Sequence, residues 1–245
     1  MSFFTTDDCE RARDRVLALA GADERIVAGA EVGSRALGGG DRWSDLDLTF
    51  GAVDGVAVAD VLDDWTPRLA ETLDAVQLFD VWGGAALYRV FLLPGCLQLD
   101  VSVAPASSFG ARTPTFRLLF GGTVELPHVE PPPAAELFGH AVHHGLRGRI
   151  AIERGQRWLA EFWVSQARDY ALALACRLHG LPTSYGRGFD ELPADVLAGF
   201  AGTLAGSLEP DELRRALAAT VHALLRVAGD LALPVEGELR TLASR

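Results

Sequence analysis

The chain has 245 residues, 49% of them apolar, with 33 acidic against 22 basic side chains and a formal charge of −11. That apolar fraction is ample for a packed core and excludes a disordered chain. The acidic balance leaves no general positive surface of the kind needed to grip a nucleic-acid backbone. It is also uneven: residues 1–105 carry 18 acids against 8 arginines, residues 106–245 carry 15 against 14, and no lysine occurs. An acidic first half suits a small cationic partner.

In chain order, the first helix is expected over Asp7–Ala20, capped by Thr6 or Asp7, with Val16, Leu17 and Leu19 apolar. The apolar run Ile26–Ala30 is long enough for a short buried strand. Gly33 and Ser34 close it. A glycine there lets the backbone turn sharply, and exposed N–H groups, the Ser34 hydroxyl and the guanidinium of Arg35 suit phosphate oxygens. Gly38, Gly39 and Gly40 read as flexible loop. In the next strand Leu46, Leu48 and Phe50 alternate with Asp45, Asp47 and Thr49. Asp45 and Asp47 therefore share a face, with Cα atoms roughly 6.5–7 Å apart. Two carboxylates fixed side by side repel unless a cation lies between them or one takes a proton, and an oxygen-loving divalent metal fits the pair.

A helix over Val56–Leu73 follows, with Pro67 a candidate break. Strands are expected at Val76–Trp82, Leu87–Leu93 and Leu97–Val103, joined by Gly83-Gly84 and Pro94-Gly95 turns. Asp100 stands in the last of them as a third carboxylate. Gly33-Ser34, ten residues, then Asp45-Leu46-Asp47, and a later strand bearing Asp100, resemble the nucleotidyltransferase superfamily that includes DNA polymerase beta and the antibiotic nucleotidyltransferases. The resemblance implies a small mixed sheet on which the Gly33-Ser34 turn holds a nucleoside triphosphate, ATP or another NTP. It also implies that Asp45, Asp47 and Asp100 hold two Mg²⁺ ions. Taken singly, Gly-Ser and Ser-Asp are ordinary turn chemistry; the reading rests on the joint pattern.

Pro127, Pro131, Pro132 and Pro133 mark a connection, beyond which Ala and Leu recur at helical spacing. Candidate helices are Ala134–His144, Arg147–Leu178, Pro193–Leu204, Pro210–Ala228 and a short one near Glu236–Leu242. The expected organisation is α+β: a catalytic domain over 1–105, a connecting segment over 106–133 and a helical bundle over 134–245. Arg154-Gly155-Gln156-Arg157-Trp158-Leu159, Arg168, and Tyr185 through Pro193 resemble the C-terminal domain of lincosamide and related antibiotic nucleotidyltransferases. Arg157 and Glu161, four apart, read either as a surface pair or as groups closing a cleft over the acids. Arg187 is a candidate for substrate phosphate. His140, His143 and His144 lack the acid of a zinc-protease motif and read as structural or surface groups.

The expected activity is Mg²⁺-dependent transfer of a nucleoside monophosphate, AMP from ATP, to a hydroxyl of a small molecule such as an aminoglycoside or lincosamide, with release of pyrophosphate. Asp100 is the expected proton acceptor and Glu161 its competitor. The rival readings are an antitoxin-like nucleotidyltransferase acting on a partner protein and a non-catalytic nucleotide-binding protein. No run of about eighteen uncharged apolar residues occurs. The residues after Met1 lead into acids, not into the basic segment of a signal peptide. Cys9, Cys96 and Cys176 read as buried thiols of a reducing compartment, so a cytoplasmic protein without membrane or nucleic-acid partners is expected. Its oligomeric state is open, with a homodimer among the possibilities.

Overall fold

In a computed structural model that describes residues 3–244, the chain divides into two compact units, Met1–Val129 and Glu130–Arg245. The first unit is a six-stranded sheet with helices. Its elements are α1 (Thr6–Ala22), β1 (Ile26–Val32), β2 (Leu46–Ala52), α2 (Val58–Leu73), β3 (Val76–Gly83), β4 (Ala86–Leu93), β5 (Leu97–Pro105) and β6 (Phe116–Phe120). The strand order is β3-β4-β5-β2-β1-β6, with β2 and β5 parallel and every other pair antiparallel. The sheet is therefore mixed and the class α+β.

A capping box starts α1: the Thr5 hydroxyl accepts from the Asp8 N–H at 3.2 Å, and the Asp8 carboxylate accepts from the Thr5 N–H at 2.7 Å. Cys9, Ala12, Val16 and Ala20, spaced three and four apart, are its buried stripe. From α2, Val58, Val61, Leu62, Trp65 and Leu69 are buried, and the helix continues through Pro67. Burial of Trp65 and Leu69 on either side of the proline offsets the lost backbone bond, so the expected break does not occur. These residues pack with Leu46, Leu48 and Phe50 of β2 and Leu97, Leu99, Val101 and Val103 of β5. Trp65 meets Phe50 edge to face at 5.2 Å and donates to Asp23 at 2.9 Å. Truncating Trp65 to alanine would cost on the order of 3–5 kcal/mol.

Three sequence expectations change here. Strand β6 lies within residues 106–133, read as connection; its short run Phe116-Arg117-Leu118-Leu119-Phe120 pairs with β1 at the sheet edge. Cys96 is exposed and takes φ +64 at the end of the Pro94 turn, so it is not a buried thiol, whereas Cys9 and Cys176 are buried. The third change concerns the helical unit.

That unit contains α3 (Ala134–Glu153), α4 (Arg157–Leu178), α5 (Ala194–Ala198), α6 (Pro210–Ala228) and α7 (Glu236–Leu242). The sequence break expected near Gly145 lies instead at Gly155, where φ is +67. Gly145 and Gly148 are inside α3. A Cβ on Gly145 would press on Leu242 at 3.3 Å, and one on Gly148 on Val164 at 3.2 Å, so these glycines serve close packing of neighbouring helices, not a turn. Pro193–Leu204 is likewise broken: α5 ends at Ala198 and a separate turn covers Ala201–Thr203. The stretch Pro210–Leu242 is long and apolar enough by composition to cross a membrane. Within this unit Leu213, Leu217, Val221 and Leu224 of α6 are core.

Candidate active site

One face of the sheet is covered by α1 and α2. The other carries the residues that alternate with the core positions. On β2 these are Asp47 and Thr49, preceded by Asp45; on β5 they are Gln98, Asp100 and Ser102. The parallel register places Asp47 opposite Asp100 and Thr49 opposite Ser102, which sets each pair on neighbouring strands roughly 5 Å apart. The Ser102 hydroxyl donates to the Thr49 hydroxyl at 2.8 Å. A hollow of about 160 Å³ on this face is lined by Thr49, Ser102, Tyr88, Phe109, Arg112 and Phe116.

The three carboxylates are half-buried at one end of the face. Burial pushes the Asp100 carboxyl above the ordinary range, a 3.0 Å hydrogen bond from the Gln98 amide opposes the shift, and the negative charge of Asp45 adds to it. The shift is therefore chiefly a burial effect, to which the neighbouring carboxylate adds a smaller part.

The β1–β2 connection fits against the same acids. Gly33 opens a single tight turn, Gly33–Arg35, with φ +75. A Cβ at this position would overlap the Asp47 carboxylate, so glycine is required both by the backbone and by the close approach. Ser34 is exposed at the tip. Arg35 is engaged elsewhere: its guanidinium donates to Glu10 at 2.5 Å and stands 3.6 Å from Glu31.

Glu31 is the residue that sequence reading passed over. It is a buried carboxylate in the apolar run of β1, and Arg13, Arg35 and Arg117 converge on it. With Glu10 and Arg42 they line a hollow of about 510 Å³. A lone acid inside Ala28-Gly29-Ala30-Glu31-Val32 was the available signal, since a buried carboxylate needs paired cations.

As the side chains stand, no three His, Cys, Asp or Glu groups among the described residues are close enough together to hold a metal ion. The donor chemistry nevertheless fits a hard cation: Asp45, Asp47 and Asp100 offer only carboxylate oxygens, from two adjoining strands, with mutual repulsion that a divalent ion would relieve.

The two remaining sequence candidates belong to the helical unit. Glu161 on α4 accepts from the Ser165 hydroxyl at 2.5 Å, and the Arg157 guanidinium pairs with Glu209 at 2.9 Å, not with Glu161. Arg187 lies over the Tyr185 ring at 5.6 Å. Tyr185 itself takes φ +58 beside Gly186 at φ +73. His140 stacks on Tyr170 at 4.8 Å and His144 lies 5.0 Å from Trp163; burial, then the neighbouring His143 and His140, lowers the His144 pKa.

The fold and site together define an α+β protein with a mixed sheet, one open acidic face and a helical second unit. The chain is similar to two solved structures. One is an aminoglycoside 6-adenyltransferase from Bacillus subtilis, 10% identical, covering 97% of this chain and 99% of that one, TM-score 0.40. The other is a nucleotidyltransferase-like protein from Exiguobacterium sibiricum, 12% identical, covering 94% of this chain and 80% of that one, TM-score 0.40. No protein-family model and no curated protein matches the chain.

Proposed function

We propose that the protein is a nucleotidyltransferase that moves AMP from ATP to a hydroxyl of a small cationic molecule of the aminoglycoside or lincosamide kind, releasing pyrophosphate. The observation that carries the reading is the register pairing of Asp47 with Asp100 on an open face, with Asp45 beside them and Gly33 closed against Asp47. A structural role alone does not account for three carboxylates set on two adjoining strands at one end of an open face.

Asp45, Asp47 and Asp100 would hold Mg²⁺, which when bound neutralises charge on the triphosphate and its leaving group and acidifies the acceptor hydroxyl. The exposed Ser34 hydroxyl and the N–H groups of the Gly33–Arg35 turn bind phosphate oxygens. Arg35, tied to Glu10 and Glu31, supports the turn from behind. Asp100, already biased toward holding a proton, takes the one released by the attacking hydroxyl. In the helical unit, a cavity of about 660 Å³ lined by Gln166, Asp169, Tyr170, Thr183, Ser184 and Tyr185 has the size and the amide, hydroxyl, carboxylate and aromatic groups to receive a hydroxylated cation. Asp169 is partly engaged by Arg168 at 2.9 Å.

The test compares Asp100→Asn with Glu161→Gln for Mg-ATP affinity by calorimetry and for turnover by pyrophosphate release with a panel of aminoglycosides and lincosamides. Asp100→Asn is expected to bind Mg-ATP and lose turnover, with Glu161→Gln much less affected. Normal ATP binding with no turnover in Glu161→Gln, and substantial turnover in Asp100→Asn, would move the base to α4. No pyrophosphate release from any NTP with any acceptor would refute the enzyme reading.

A further inference from the structure

Strand β3 is one edge of the sheet, and all eight of its residues are exposed. Its sequence, Val-Gln-Leu-Phe-Asp-Val-Trp-Gly, is not that of a solvated edge. Val76, Leu78, Phe79, Val81 and Trp82 are each between 50% and 61% exposed. Natural edge strands are protected by lysine, proline, inward charge or covering elements. Here the single charge, Asp80, is engaged by Arg89 through two bonds of 2.7 and 2.8 Å. A bulge between Gln77 and Phe79 interrupts pairing with β4, but Phe79 through Gly83 run in regular register. Among the described residues no strand pairs with the outward N–H and C=O groups of this segment.

Phe79 and Val81 stand over Val90 and Tyr88 of β4, and Tyr88 is paired in turn with Ser102 on the carboxylate face. The apolar stripe thus continues from the strand edge onto the open face, with Tyr88 and Leu92 also more than a third exposed.

We infer that β3 is a dimerisation edge, pairing antiparallel with β3 of a second copy of this chain. Such pairing is isologous, so one strand supplies both halves of the interface and the sheet becomes continuous across the two-fold axis. An aromatic side chain carries on the order of 150–250 Å², so half-exposed Phe79 and Trp82, together with the smaller Val76, Leu78 and Val81, Tyr88, Leu92 and the strand backbone, supply a large share of the roughly 800 Å² per partner of a standard interface. A second copy is favoured over a basic partner because the patch is uncharged once Asp80 is paired.

Sedimentation velocity across a concentration series, with hydrogen exchange of the β3 amides, tests this. The wild-type chain is expected to dimerise, and the outward-facing β3 amides to be protected in step with the dimer population. Phe79→Lys and Val81→Lys, both at exposed positions, should raise the dimer dissociation constant at least about tenfold, as for a central interface residue, while far-UV circular dichroism stays unchanged. A wild-type monomer throughout, or a dimer indifferent to both substitutions with exchanging β3 amides, would overturn the proposal.

Discussion

Replacing Gly33 by alanine separates backbone strain from interference with the acids, because the chain supplies its own control five residues later. Gly33 and Gly38 both have φ +75. A Cβ on Gly38 meets nothing within 4 Å, whereas one on Gly33 would overlap the Asp47 carboxylate. The left-handed backbone costs an alanine about 1–2 kcal/mol, of which roughly 0.4–1 kcal/mol is returned by the stiffer unfolded chain. Gly38→Ala should therefore lose about 0–1.6 kcal/mol and leave chemistry untouched. Gly33→Ala carries the same backbone cost and in addition must push Asp47 aside or shift the turn, an overpacking cost of roughly 1–3 kcal/mol. At about 2–8 °C per kcal/mol for units of this size, its melting temperature should fall well below that of Gly38→Ala. A carboxylate displaced by about an ångström should lower turnover on the order of 100-fold. Thermal melting and pyrophosphate release, measured on both variants, read the two effects separately. Equal melting temperatures and equal turnover in the two variants would refute the idea that the Gly33 turn fixes Asp47.

Three further outcomes are expected. Asp45→Asn and Asp47→Asn should each abolish transfer without unfolding the chain; transfer at the wild-type rate in either would remove that residue from the site. Ser34→Ala should weaken Mg-ATP binding by about 1–3 kcal/mol, the range for losing a hydrogen bond to a charged group, and unchanged affinity by calorimetry would count against the turn as phosphate site. Asp100 gives a pH signature: its folded pKa is raised, mainly by burial, above the unfolded value of 3.8, so its favourable contribution is complete below 3.8 and is lost as pH rises through the folded value. Without metal, Asp100→Asn should therefore be more stable than wild type at neutral pH and converge with it in acid; a pH-independent difference would contradict this.

What the sequence disclosed was whatever alternation and turn chemistry could encode. Leu46, Leu48 and Phe50 had to face a core, which fixed Asp45 and Asp47 on the opposite side. Asp100 stands out as the one acid of its strand and joins that pair through the family resemblance; the parallel pairing of β2 with β5, which sets Asp47 against Asp100, comes only with the structure. Long-range partners were not encoded locally. Arg35 reads as a phosphate ligand by its neighbours in sequence, but Glu10, reached only through the fold, claims it together with the nearby Glu31. Gly145 and Gly155 are indistinguishable in composition; only tertiary contact reveals that one accommodates a neighbouring helix and the other turns the chain. Strand β6, five residues long in a segment flanked by prolines, has too little period to be seen without β1 beside it.

The two faces of the sheet also divide the electrostatic work. On the helix-covered side, Glu31 among three arginines and Arg89 between Asp63 and Asp80 are acids and bases matched to one another; the depressed Asp80 pKa follows from the Arg89 hydrogen bonds. On the open side, the shift at Asp100 runs the other way, upward, and none of its causes is an arginine. A fold with 22 arginines has cations enough to neutralise this face, and Arg35, the closest in sequence to the turn, is held back by Glu10 and Glu31 instead. At Asp100, the one carboxylate of this face whose shift is resolved, burial and the charge of Asp45 act without an arginine to offset them, which is what the proposed cation site requires of its ligands.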